Sequence, residues 1–202
     1  DSSWLLNKFA ITNLPSVTSL RLLRENIVIP QKTSLFVGIG DPVLGAKISN
    51  LRGLEIVNSL PGGAIATTDV RKLPELPETS EELKKIAGYL GVGEENLFLR
   101  ERATEKNIKS LDLSKSQIIA FATHGLIGSD FPGLKESALV LTPPDNPTEL
   151  DDGLLTASEI ARLDLNADLV ILSACNTASG DKLGAPGLSG LARAFIYAGA
   201  RS

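Results

Sequence analysis

The chain holds one histidine and one cysteine in 202 residues, and each stands just past an apolar run. His124 follows the run in Ile118-Ile119-Ala120-Phe121-Ala122-Thr123-His124-Gly125, and Cys175 follows the run in Leu169-Val170-Ile171-Leu172-Ser173-Ala174-Cys175-Asn176. A thiol and an imidazole carried to the same end of one sheet make a nucleophile and its proton-transfer partner. The two stand 51 positions apart, 175 less 124. If the two runs are parallel neighbours about 4.8 Å apart, both residues leave the sheet at its carboxyl edge, where open α/β sheets hold their ligands. The neighbours are small: Gly125 after the histidine, and Ser173, Ala174, Asn176 and Thr177 around the cysteine. Small neighbours leave room for a peptide and let backbone N–H groups approach a developing oxyanion. The competing reading makes Cys175 a buried apolar filler and His124 a hydrogen-bonded turn residue, because free cysteine is among the most buried residue types.

The elements that must position this pair read as short β-branched runs alternating with amphipathic segments, the pattern of a parallel sheet covered by helices on both faces. Strands are expected at Phe9 to Thr12, Ser34 to Val37, Asn96 to Leu99, Gln117 to Thr123, Ala138 to Leu141 and Asp168 to Ser173. Thr79-Ser80-Glu81-Glu82 reads as a capping box, followed by Leu83, Ile86, Ala87 and Leu90 on one face and Gly91 as a stop. Thr156 to Glu159 repeats the box before Ile160 and Leu163, and a last helix from about Gly187 to Ala198 gathers Leu188, Leu191, Ala192 and Phe195, ending at Gly199. Residues 38 to 78 read as a long loop with room for one short helix, and 142 to 153 as a second irregular stretch. Gly38-Ile39-Gly40 follows an apparent strand, but Val43 stands where a dinucleotide site needs its third glycine, so a tight turn is the better reading.

Composition excludes several classes. At 43 % hydrophobic residues the chain buries a real core and is read as one domain, 1–202. The apolar runs are too short to span a bilayer and the N-terminus is unlike a signal peptide, so no membrane partner is expected. A lone cysteine forms no internal disulfide, which agrees with a reducing, cytoplasmic setting. The net charge of −4, without a Lys/Arg cluster, argues against nucleic acid as a partner. No carboxylates with His or Cys partners stand at metal-ligand spacing, so no zinc site is expected. The chain starts at Asp1, contains no methionine and stops just after a helical pattern, and is therefore read as a piece of a longer polypeptide.

Five segments in order carry a resemblance: Ala122-Thr123-His124-Gly125; Ser137-Ala138-Leu139-Val140-Leu141; Asp152-Gly153-Leu154-Leu155-Thr156-Ala157-Ser158-Glu159-Ile160; Leu172-Ser173-Ala174-Cys175-Asn176-Thr177; and Gly190-Leu191-Ala192-Arg193-Ala194-Phe195 with Ala198-Gly199-Ala200-Arg201-Ser202. They resemble the CHAT domain, a caspase-like cysteine peptidase family of clan CD that is common in bacteria and often fused to tetratricopeptide repeats. The match is dense from about residue 117 onward. A histidine about 50 residues ahead of the cysteine is also the caspase spacing. The resemblance implies a caspase-like three-layer α/β sandwich with a mostly parallel central sheet and helices on both faces. It implies His124 and Cys175 as the catalytic pair, and the backbone amides of Gly125 and Cys175 as oxyanion donors. It further implies a protein or peptide substrate, no cofactor, and a tetratricopeptide-repeat region as a candidate neighbour in the same polypeptide. The family's domain usually extends further at both ends.

Relatives that cleave after basic residues carry an acid two positions before the cysteine, where this chain has Ser173. Ser173 and Asp152 are the candidates for the substrate pocket. Asp130, Asp151 and Glu159 offer further charge, although Glu159 reads better as a helix cap, and Asp151 and Asp152 better as turn residues. Three classes of function remain: a cysteine endopeptidase, a caspase-like interaction module that keeps the fold without turnover, and a nucleotide-binding α/β domain that rests on the 38 to 40 turn alone. Reaction of Cys175 with a thiol-directed peptide probe separates the first two.

Overall fold

The computed structural model describes residues 33–45, 70–127, 134–148, 150–173 and 188–202. All of them lie in one compact unit, Gln31–Ser202. The order of elements among them is β1 (Ser34–Pro42), α1 (Pro77–Leu90), β2 (Leu97–Arg100), α2 (Glu105–Ser110), β3 (Ser116–Ala122), β4 (Gly125–Leu126), β5 (Ala138–Val140), β6 (Leu154–Thr156), α3 (Ala157–Ile160), β7 (Leu169–Leu172) and α4 (Leu188–Tyr197).

Four strands form a parallel sheet in the order β2-β1-β3-β7. Side chains on a strand alternate between faces, so each strand serves two cores. On one side Phe36, Ala120 and Ala122 pack with Leu97 and with Leu83 and Ala87 of α1. On the other, Val37, Ile39, Ile119 and Phe121 pack with Ile108 of α2, Ile160 of α3 and Leu191 and Phe195 of α4. The Phe121 and Phe195 rings lie 5.2 Å apart in a tilted arrangement. Helices therefore cover both faces of a mostly parallel sheet, the architecture expected of a caspase-like fold.

Several local expectations change. The Ala138 run is not part of the parallel sheet: β5 sits between β4 and β6 in an antiparallel three-stranded sheet. An apolar run looks the same in either setting, and its partners are only two and three residues long. Thr79 does not cap a helix. The helix starts at Pro77, whose fixed φ suits the first turn, and Thr79 lies buried inside it with Oγ1 donating to the Leu76 carbonyl. Gly91 does end that helix, in left-handed backbone with φ 66°. Thr156 and Glu159 do form a capping box, on a helix only four residues long. In α4 the buried face is Leu191, Ala194, Phe195 and Ala198, with Ala192 exposed. The strand expected at Phe9 to Thr12, and residues 46–69 of the long loop, lie outside the described residues.

Gly38-Ile39-Gly40 is no turn either; it is the middle of β1. The two glycines let α1 and the neighbouring strands close in. A Cβ on Gly40 would stand 2.7 Å from the Ala122 carbonyl oxygen and 2.7 Å from Leu83 Cδ1. Backbone cannot yield as a side-chain tip does, so Gly40→Ala is expected to destabilise the fold by about 1–3 kcal/mol in denaturant unfolding.

Candidate active site

His124 stands two residues past the end of β3 and directly before β4, because Thr123 and His124 carry the chain from the parallel sheet into the antiparallel one. Thr123 Oγ1 donates to the Val140 carbonyl, and the Val140 N–H donates to the His124 carbonyl at 2.9 Å. The histidine is buried, with 2 % exposure. Its Nε2 lies 2.7 Å from the Pro74 carbonyl oxygen. A carbonyl only accepts, so Nε2 carries the hydrogen and, in the neutral ring, the lone pair is on Nδ1.

The register between β3 and β7 bears on the cysteine. Ile118 lies opposite Leu169, and Phe121 opposite Leu172. Every such pair is 51 residues apart, the separation of His124 from Cys175. The ladder continues one residue beyond the strand, where the Ser173 N–H donates to the Phe121 carbonyl at 2.8 Å. Cys175 itself, with Ala174, Asn176 and Thr177, lies outside the described residues, as does Asp130.

The remaining candidates have definite partners. Gly125 is buried in β4 opposite Leu139. Ser173 is exposed, and its hydroxyl lies 3.4 Å from Oε2 of Glu82 on α1, a carboxylate 91 residues away in sequence. Asp152 forms a turn by accepting from the Leu154 N–H at 2.9 Å, and burial raises its carboxyl above the ordinary range. Asp151 pairs through its backbone with Thr148, and its Oδ1 is buried with no hydrogen-bond partner among the described residues. Glu159 closes its capping box and also accepts from Lys109 Nζ at 2.8 Å.

Four residues carry weight here that their positions in sequence do not announce. Buried Glu105 accepts from the Asp152 N–H at 2.9 Å and the Gly153 N–H at 3.2 Å, and pairs with Lys109. It thereby fixes the turn that leads into β6. Pro74 matters only through its carbonyl, and the available signal was the Pro74 and Pro77 pair, which keeps Pro74 through Leu76 out of the helix and its carbonyls open to other donors. Arg100 and Asp41, at the ends of β2 and β1, pair at 3.2 Å. Among the described residues no three His, Cys, Asp or Glu side chains group as metal ligands, and no helix is long and apolar enough to cross a membrane.

The CHAT domain family model matches residues 1–202, the whole chain. The chain belongs to the CHAT domain family. This CHAT domain thus shares the caspase-like fold of clan CD, in agreement with its parallel sheet and the helices on its two faces. No curated protein matches it.

Proposed function

We propose that this CHAT domain is a cysteine endopeptidase of bacterial cytoplasm that hydrolyses peptide bonds in protein substrates with Cys175 and His124. The observation that carries the reading is the register of β3 against β7, whose offset equals the separation of the two residues. Ser173, two residues before Cys175, still follows that ladder through its N–H bond to the Phe121 carbonyl at 2.8 Å, which supports the reading. The Nε2 hydrogen bond also supports it, since a dyad histidine needs a fixed ring and a defined tautomer.

In this reading His124 Nδ1 takes the Cys175 proton, and the thiolate attacks the scissile carbonyl carbon to form the S–C bond. The oxyanion accepts from the Gly125 and Cys175 amides. The C–N bond breaks as imidazolium delivers its proton to the leaving amine. His124 then takes a proton from water, whose oxygen attacks the thioester, and the cysteine leaves as thiolate. Nothing beyond these groups and water is consumed.

The test is proteomic mapping of new N-termini made by the full polypeptide against its Cys175→Ala variant. Wild-type cleavage sites are expected to vanish in the variant. Sites that persist undiminished in a folded Cys175→Ala protein would sink the proposal.

A further inference from the structure

Two residues at the carboxyl ends of adjacent strands hold left-handed backbone without being glycine: Asp41 with φ 45° on β1 and Arg100 with φ 54° on β2. Such conformations are unfavourable for L side chains and persist only where the surroundings impose them. Here the two are tied together. The ladder shifts register between Gly40 and Pro42, so that Pro42 pairs with Arg100, and Arg100 Nη1 donates to Asp41 Oδ1 at 3.2 Å. Asp41 is 4 % exposed, and its N–H donates to Thr79 Oγ1 at 3.0 Å. The Arg100 carbonyl is held in turn by the Thr142 hydroxyl at 2.7 Å.

The same Nη1 stands 3.6 Å from Oε2 of Glu75. Glu75 follows Pro74, whose carbonyl is the acceptor for His124. The segment before α1 is therefore pinned at several points. Arg71 donates to the Pro143 and Pro144 carbonyls at 3.0 and 3.1 Å, Thr79 donates to Leu76, and Glu75 meets Arg100 between them. Glu75 adjoins Pro74 on one side; on the other, Leu73 donates to the Val70 carbonyl at 3.2 Å and packs against the cluster of Leu126, Ala138 and Val140.

We propose that Asp41, Arg100 and Glu75 are positioning residues that hold the Pro74 carbonyl on His124 Nε2 and so set the imidazole's tautomer. The inference rests on reading His124 as the proton carrier of the dyad. Buried Asp41 anchors the guanidinium, and the guanidinium holds Glu75, the residue that follows Pro74. Lys84 on α1 also faces Asp41, and Glu101 faces Arg100, each through weaker fields than the direct pair. A displaced carbonyl would release the Nε2 hydrogen, let the proton sit on either nitrogen, and leave Nδ1 a base for part of the time only.

The experiment uses the full polypeptide and reads two signals. Histidine ¹⁵N NMR, assigned through His124→Gln, reports the tautomer, and iodoacetamide alkylation of Cys175, followed by peptide mass spectrometry from pH 5 to 9, reports thiolate. Arg100→Ala is expected to give a tautomer mixture and to slow alkylation near neutral pH by about tenfold or more, within the roughly 10²-fold that a 1 Å misplacement produces. Glu75→Gln, which leaves the strained Arg100 backbone in place, should move both signals the same way by a smaller factor, and Arg100→Lys should restore part of the loss. A merely structural role would lower melting temperature in these variants while the tautomer and the pH profile of the folded protein stayed as in wild type, and that result overturns the proposal. The two readings fail separately. Alkylation unaffected by His124→Gln overturns the dyad itself, whereas an unchanged Glu75→Gln protein with a working dyad overturns only the positioning role.

Discussion

A His124→Ala variant is expected to cleave the substrates of the wild-type protein about 10²–10⁴-fold more slowly, the range for removing a positioned general acid–base. The imidazole acts in both halves of the reaction proposed here, so acylation and deacylation both slow. The loss should appear in kcat more than in KM, because the ring contributes where protons move and not where a peptide is merely held. One correction must be made first. Truncation removes the part-buried hydrogen bond that the Pro74 carbonyl accepts at 2.7 Å and leaves a void where the buried ring stood, and both lower stability. Activity should therefore be compared at a temperature where both proteins are folded by circular dichroism. The alkylation profile of Cys175 gives the independent check: without the imidazole, the thiol should react as an ordinary cysteine, with its midpoint near pH 8.5 as is usual for free cysteine. Equal kcat in a folded His124→Ala protein would remove histidine from the mechanism.

Why the strands leading to the proposed pair are legible in sequence while the contacts around His124 are not is a matter of range. The run from Ile118 to Ala122 is apolar on consecutive positions because both faces of β3 meet helices, and such a strand announces itself. The 51-residue offset of β3 from β7 is the one expected of parallel neighbours in register. The helix start at Thr79 was misread because a local pattern of Thr and Glu imitates a cap, whereas Pro77 two residues earlier already supplies the helical φ. Gly38 and Gly40 read as a turn because glycine signals turns locally, and only the packed Leu83 and the Ala122 carbonyl reveal the close approach they serve. The small antiparallel sheet escaped for lack of length. Asp41 and Arg100 are 59 residues apart and meet through a register shift, and Pro74 acts through backbone alone. No periodicity records contacts of that kind.

The acid that braces the Asp152–Gly153 turn gives a second large effect, on stability and its pH dependence. Glu105 is 1 % exposed and accepts two backbone N–H groups of the turn, while Lys109 Nζ bridges it to Glu159 and also donates to the Leu150 carbonyl at 2.7 Å. Glu105→Ala would strand both N–H groups and leave Lys109 with half its anionic charge, so a loss of about 3–5 kcal/mol is expected in denaturant unfolding. Burial is the largest influence on the carboxyl and pushes it up to about 7, against the pull of Lys109. A raised acid binds its proton more tightly folded than unfolded. Its contribution is complete below about pH 4.5, the value without perturbation, and is lost as pH climbs through about 7, for at most about 3 kcal/mol. Glu159 runs the other way: burial pushes it up, but Lys109 and the Thr156 donors together outweigh that and lower it, so its contribution is present above pH 4.5 and is lost only as the medium becomes more acidic. Those two windows do not overlap, so between pH 4.5 and 7 the Glu105 contribution is read against only those of Asp152 and Asp41, both also raised by burial. Glu105→Gln keeps an oxygen for the turn's N–H groups but cannot titrate, and it should flatten the decline in unfolding free energy across that window. If the variant loses stability with pH as steeply as the wild type, the slope belongs to another group, with Asp152, raised by the same burial, next to be replaced.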